Sequence, residues 1–357
     1  MTGVQASAPG KLLLLGEYAV LDGAPALVMA VDRRVNVRIE PARPGCGWLS
    51  APQLGIQKIR MRIDAGRLRC SGLDSDALGL TGRLIPGILR SLGRAPQEIE
   101  TINIEIDSGA LFEFESGQSV KLGLGSSAAV CAALAVGLSA WFGDSADSAQ
   151  AGKRLDRWLP VYRDALGARA SGADLAGAFF GGFSQFRSAG ENADCRALTW
   201  PGELHWRAIW TRRAAQTTDY VGAFDAWKEK DPAGAAAILA RLTGIARRGA
   251  DNTADSAALL EACRAYCAAM VDLGEAMGRE IMTPAHQSLA DLGRRRGVVY
   301  KSCGAGGGDL GIALARDPER LRAFESGVSE LGGVPLNLTI SESGAALAPS
   351  RPPDTGE

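Results

Sequence analysis

The stretch Lys121-Leu-Gly-Leu-Gly-Ser-Ser-Ala-Ala-Val130 constrains this chain more than any other. It sets glycines and serines in a tight turn, and small apolar residues follow from Ala128 to Leu138. The pattern predicts a glycine-rich loop opening into a buried helix. A helix N-terminus carries unpaired N–H groups and a positive partial charge, so such a loop can hold an anion. Glycine lets the main chain approach a phosphate closely, and serine hydroxyls can reach a phosphate oxygen or Mg2+. The expected occupant is a nucleotide triphosphate, held by Gly123, Leu124, Gly125, Ser126, Ser127 and Ala128, with Ser126 and Ser127 nearest the metal.

The rest of the chain is read against that loop. At 357 residues it is long for one core, so two domains are expected. Lys plus Arg is 39 against 40 for Asp plus Glu, and this near-neutral balance argues against a nucleic-acid partner. No apolar run reaches the roughly 18 residues that suggest a membrane span, and the N-terminus lacks the form of a secretion signal. The seven cysteines are scattered without a Cys-x-x-Cys pair, and there are two histidines. Structural zinc and a disulfide framework are therefore disfavoured, and reduced thiols in the cytoplasm are expected. The sequence does not separate a monomer from a homodimer.

Four leucines, Leu12 to Leu15, lie between Gly10-Lys11 and Gly16-Glu17-Tyr18 and predict a short buried strand with Lys11 at its mouth. Alternation at Val35/Val37/Ile39, Ile59/Met61/Ile63 and Ile102/Ile104/Ile106 predicts half-buried strands. Helical spacing predicts helices over 78–92 and 155–166. Asp174 stands as a single acid among small and apolar residues, either a turn or capping aspartate or a functional group. After a strand at 204–211 the chain turns alanine-rich and helical from Pro232 to Gly278, with another helix over 283–297. A second glycine loop, Gly304-Ala-Gly-Gly-Gly-Asp309, precedes an apolar strand at 310–315, a charged helix at 317–331 and a strand at 334–340. The fold class expected is α+β, strand-led over 1–190 and helix-led over 191–345, with a mobile tail at 346–357.

Neither glycine loop fits Gly-x-x-x-x-Gly-Lys-Ser/Thr or a dinucleotide Gly-x-Gly-x-x-Gly, because Ala128 stands where the third glycine would be needed. Hydride transfer is disfavoured. Phosphoryl transfer, which needs mainly positioning and charge neutralisation, remains.

The ordered set Pro9-Gly-Lys-Leu-Leu-Leu-Leu-Gly-Glu-Tyr18, Gly123-Leu-Gly-Ser-Ser-Ala-Ala129 and Gly304-Ala-Gly-Gly-Gly-Asp309 resembles the GHMP kinases over nearly the whole chain. The resemblance implies an N-terminal domain like the second domain of ribosomal protein S5, a ferredoxin-like C-terminal domain, and a cleft for ATP, Mg2+ and a small-molecule acceptor. Within that superfamily, Tyr18, Lys121 and Asp309 are similar to phosphomevalonate kinases. Mevalonate kinases usually carry His at the position of Tyr18 and Glu at that of Arg163. Cys303 departs from the usual Ser or Thr, and the segment 168–174 lacks the Gln-Gly of many relatives.

The activity so implied is transfer of the ATP γ-phosphoryl group to the phosphate of 5-phosphomevalonate. The catalytic set would be Lys11, Lys121 and Asp174, with Asp174 at the family's base position. Glu17, Tyr18, Ser302, Gly304, Ala305, Gly306, Gly307 and Asp309 would line the acceptor, and Arg212, Arg213 and Lys301 are further candidates for its anionic groups. An alcohol kinase for mevalonate or a sugar is the alternative. A non-catalytic ligand sensor is disfavoured, since the expected lysine and aspartate are both present.

Overall fold

The structure, a computed structural model, describes residues 3–64, 67–70, 78–115, 117–144, 150–167, 170–189, 192–213 and 217–348. The first part contains β1 (Val4–Leu15), β2 (Ala26–Pro41), β3 (Trp48–Ala51), β4 (Ile56–Asp64), β5 (Arg67–Cys70), α1 (Gly79–Ser91), β6 (Ile102–Asp107), β7 (Phe112–Glu115), β8 (Gln118–Lys121), α2 (Ser126–Trp141), α3 (Ala151–Leu166), α4 (Ala173–Phe180), β9 (Phe183–Ala189) and β10 (Asn192–Leu198). The second contains β11 (His205–Trp210), α5 (Thr217–Lys230), α6 (Pro232–Asp251), α7 (Ser256–Met277), α8 (Pro284–Arg296), β12 (Val299–Ser302), β13 (Leu310–Ala315), α9 (Pro318–Val328), β14 (Val334–Leu336) and β15 (Ala346–Leu347).

The long strand β2 organises a nine-stranded sheet. One edge of β2 pairs with β1 along most of its length. The other edge is shared, with β9 on Ala26–Met29 and β6 on Asn36–Pro41. The alternation read at Val35, Val37 and Ile39 puts these three side chains on the buried face. Helix α2 packs on β1 and β2, and α4 packs beside it on the same strands. Because α2 is apolar all round, it is a core helix rather than a surface one, with every residue from Ala128 to Ser139 buried.

The second sheet is antiparallel, in the order β12-β13-β11-β14. Every residue of β12 and β13 is buried, since helices cover both faces. Leu310, Ile312 and Leu314 join the main core, while Ala313 and Ala315 face a second core with Tyr300, Leu289 and Phe324 from the α8 and α9 side.

β10 pairs with β9 through Leu198, and residues 199–204 separate it from β11 of the second sheet. At the other end, β15 pairs with β1 at Ala6↔Leu347 and Ser7↔Ala346. The expected tail thus opens as a paired strand that satisfies the free edge of β1, and residues 349–357 lie outside those described, as do 168–169. The strand expected at 334–340 is shorter, ending at Leu336, with Ile340 forming an isolated bridge to Val31.

Candidate active site

Leu122-Gly123-Leu124-Gly125 carries the chain from β8 into α2, and both glycines need positive φ, +81° and +74°. Gly125 is the residue before the helix, in the left-handed conformation. Its carbonyl takes the N–H groups of Ala128 and Ala129. Among the described residues, no backbone carbonyl takes the N–H groups of Gly123, Gly125, Ser126 or Ser127. The sequence therefore builds the anion cradle that its glycines suggested.

Lys11 is brought to this cradle by β1. Its own N–H donates to the Leu124 carbonyl at 2.8 Å, which fastens the loop to the strand. Its side chain runs across Gly125, where an added Cβ would lie 2.8 Å from Lys11 Cε. Helix α4 presses from beneath: a Cβ on Gly177 would be 3.4 Å from Lys11 Cβ. Among the described residues Lys11 has no carboxylate within ion-pair distance, so its ammonium charge is available to a ligand.

Asp174 lies in the first turn of α4, three residues before Gly177 and so on the same helix face. Its Oδ2 accepts from Tyr162 Oη at 2.7 Å, and its Oδ1 accepts from the Leu175 N–H at 2.9 Å. Tyr162 is fully buried. Burial first, and the neighbouring Asp174 second, push its phenol well above the usual range, so it stays a donor. Arg163 donates to the carbonyls of Ala170 and Ser171 and holds the entry to α4.

The second glycine loop reaches the first. A Cβ on Gly123 would be 2.5 Å from Asp309 Cβ and 2.7 Å from its Oδ2, so Asp309 rests directly on the phosphate loop. Asp309 has φ +56°, uncommon for a non-glycine residue. It is held there by its N–H to the Arg213 carbonyl at 2.6 Å and by Thr211 N and Oγ1 on its own carbonyl, both at 3.0 Å. Tyr220 packs against Gly307 and leaves no room for a side chain.

The first motif is tied to the third. Tyr18, at φ +60°, donates from Oη to the Ala305 carbonyl at 2.6 Å. Burial, with Tyr220 and Glu17 nearby, raises its pKa, so the phenol keeps its proton. Glu17 is buried and pairs with Lys301 Nζ at 2.6 Å; Lys301 Nζ also donates to the Ser302 carbonyl at 2.6 Å. Burial alone would lower the lysine pKa, but the Glu17 carboxylate outweighs it and holds the ammonium form. Among the described residues Glu17 Oε2 has no partner, while the Glu17 carbonyl takes Tyr266 Oη at 2.7 Å. Glu17, Lys301 and Ser302 thus clamp the end of β1 to β12.

The structure therefore brings together Lys11, Gly123–Ser127, Tyr18, Ala305 and Asp309. It does not bring Lys121 against them: that residue is exposed on the β7–β8 hairpin, opposite Phe112. Arg212 is engaged by Glu115 at 3.0 Å, and Lys301 is sealed in its ion pair. Cys303 is buried, and burial pushes its thiol up to about 11 despite the lowering influence of Lys301 and Lys11. Sequence reasoning missed the tyrosines that hold the site, Tyr162, Tyr220 and Tyr300, and the buried His286. No local motif marks them, because their partners, Asp174 for Tyr162 and Tyr300 for His286, lie on other elements.

Residues 87–182 match the family described as the GHMP kinases N terminal domain. Phosphomevalonate kinase of Streptomyces sp. (strain CL190) is 29% identical over 340 residues, covering 86% of this chain and 88% of that protein. The chain carries the GHMP kinases N terminal domain over these residues. Among its curated relatives, mevalonate kinase of Thermococcus onnurineus is 26% identical over 351 residues, covering 96% of this chain and 98% of that one. In fold, the chain is similar to Streptococcus pneumoniae phosphomevalonate kinase solved in complex with phosphomevalonate and AMPPNP, with a TM-score of 0.73 at 18% identity over 95% of this chain and 100% of that one. The expected α+β, two-domain GHMP architecture is the one observed. No helix among the described residues is long and apolar enough to cross a membrane.

Proposed function

We propose that the chain is a GHMP kinase that transfers the γ-phosphoryl group of ATP to a phosphate monoester, 5-phosphomevalonate, giving 5-diphosphomevalonate and ADP. The observation that carries the reading is the contrast between Lys11 and Asp174. Both oxygens of Asp174 already accept hydrogen bonds, whereas Lys11 has no carboxylate partner among the described residues. The site thus offers a cation more readily than a proton acceptor.

That suits a phosphate acceptor. Its second pKa is about 6, so the attacking oxygen is ionised at neutral pH without a base. The obstacle is repulsion between two anions, which a desolvated ammonium group relieves. On this reading Lys11 and the N–H groups of Gly123, Gly125, Ser126 and Ser127 hold the donor phosphates. Lys121, at the loop's outer rim, neutralises charge as the ligands enter. Tyr18 and Asp309 fix the glycines of 304–308 so that their backbone lines the acceptor side. Asp174, fixed by Tyr162 and the Leu175 N–H, orients Lys11 or the acceptor.

The donor set fits ATP with Mg2+. The cradle's free N–H groups match phosphate oxygens. Among the described residues no group of three or more His, Cys, Asp or Glu is placed to hold a metal. Ser126 and Ser127 would supply the protein's few ligands, which suits Mg2+, since it keeps several waters. When bound, the ion supplies charge neutralisation on the phosphates.

A mevalonate kinase is the second reading, favoured by the mevalonate kinases that align over nearly all of this chain. An ADP-release assay with phosphomevalonate, mevalonate and a panel of sugars separates the two. Turnover with phosphomevalonate well above the others is expected. Good turnover of mevalonate with none of phosphomevalonate would refute the proposal.

A further inference from the structure

His286 is fully buried at the start of α8, and both of its ring nitrogens are engaged. Nε2 lies 3.0 Å from the Gly308 carbonyl and Nδ1 lies 2.8 Å from Tyr300 Oη. A carbonyl only accepts, so Nε2 carries the proton; in a neutral ring Nδ1 must then accept, and Tyr300 donates. Burial first of all depresses the imidazole pKa, to about 4, which keeps the ring neutral. Tyr300 thereby fixes the tautomer that His286 presents to the glycine loop.

The carbonyl of Gly308 and the N–H of Asp309 belong to one peptide group. His286 holds its oxygen, and the Arg213 carbonyl holds its N–H at 2.6 Å. Gly308 has no room to adjust: an added Cβ would meet the Arg213 oxygen at 2.5 Å. The next atoms along are the Asp309 side chain, which rests on Gly123 of the phosphate loop. We propose that His286, oriented by Tyr300, is a positioning residue of the kinase: it fixes the 308–309 peptide plane and, through Asp309, the shape of the phosphate loop, without touching either ligand. This rests on the reading of 123–128 as the ATP phosphate site.

The test compares His286→Gln, whose amide keeps an N–H donor, with His286→Leu, which has similar bulk and none, and with Tyr300→Phe. Binding of a non-hydrolysable ATP analogue is measured by calorimetry on each full-length protein, with kcat and KM for ATP and thermal midpoints alongside. His286→Leu is expected to weaken analogue binding and raise KM for ATP by about tenfold to a hundredfold, the loss that a small misplacement of a site produces. His286→Gln should recover most of that loss, and Tyr300→Phe should fall between. The acceptor KM should move less than the ATP KM in all three.

Analogue binding by a folded His286→Leu within twofold of the parent would overturn the proposal. So would a His286→Gln variant that folds but binds no better than His286→Leu. If His286→Leu does not fold, the Gln and Phe variants decide: a Gln variant near the parent beside a weakened Phe variant supports the role, and the reverse order refutes it. A parent that binds no nucleotide would overturn the phosphate-loop reading itself, and this proposal with it.

Discussion

Gly125→Ala isolates the contribution of the Lys11 position. Gly125 sits at φ +74°, where a residue with a Cβ pays about 1–2 kcal/mol. The new methyl would also lie 2.8 Å from Lys11 Cε, 3.0 Å from Cγ and 3.4 Å from Cδ. These are atoms of a flexible side chain, so the lysine moves and the loop stays. Gly93→Ala is the matched control, with φ +66° and nothing within 4 Å of the added methyl. Both variants pay the same backbone strain, and their thermal midpoints should fall together by a few degrees at most. Only Gly125→Ala shifts the ammonium group, and a displacement of about 1 Å in a reacting site costs on the order of a hundredfold in kcat/KM. The assay is steady-state ADP release with the acceptor the parent uses, beside thermal unfolding of both variants. Equal activity in the two variants would refute the placement of Lys11, and so would a midpoint for Gly125→Ala far below that of Gly93→Ala.

Three further outcomes follow from the buried groups. Lys301→Met strands the Glu17 carboxylate in the core and should cost about 3–5 kcal/mol in urea denaturation, while the Glu17→Met/Lys301→Met double variant should cost markedly less; equal losses would show that the pair does not act as a clamp. Cys303 should react slowly with iodoacetamide at pH 7.5, with activity intact after brief exposure, and faster as the pH nears its pKa of about 11; rapid ATP-protected inactivation at neutral pH would contradict its burial. His286 has its folded pKa lowered to about 4 from 6.5, so its contribution is intact above pH 6.5 and is lost as the pH falls toward 4. The loss is at most about 3 kcal/mol, and stability curves for the parent and His286→Gln should therefore converge on acidification, whereas parallel curves would rule the titration out.

Much of this was legible because it is local. The loop at 123–128 and its helix follow from glycines beside a run of small apolar residues, and the second half of β2 follows from strict alternation. Lys11 was visible as a charge at the mouth of an apolar strand. What could not be read is long-range. Nothing near Glu17 announces that Lys301 will neutralise it from 284 positions away, so an acid that looked like an acceptor ligand is a clamp between the sheets. Nothing near Asp174 announces that Tyr162 occupies one of its oxygens. Composition suggests a division near 190, and the pairing of β10 with β9 through Leu198 is a contact that composition does not carry. Lys121 was singled out for its place in the motif, and only the folded hairpin shows that it is exposed. His286 carried no signal at all, since its role depends on a carbonyl in a loop that is itself nearly featureless glycine.

The central claim is that this site joins two anions rather than deprotonating an alcohol. The most direct measurement is a competition: ATP, Mg2+ and equal concentrations of phosphomevalonate and mevalonate, with the phosphorus of the products followed by NMR. The account predicts that a second diphosphate ester appears beside ADP while the phosphomevalonate signal falls and mevalonate is left unphosphorylated. Growth of the phosphomevalonate signal at the expense of mevalonate, with ADP as the one diphosphate ester formed, would contradict it.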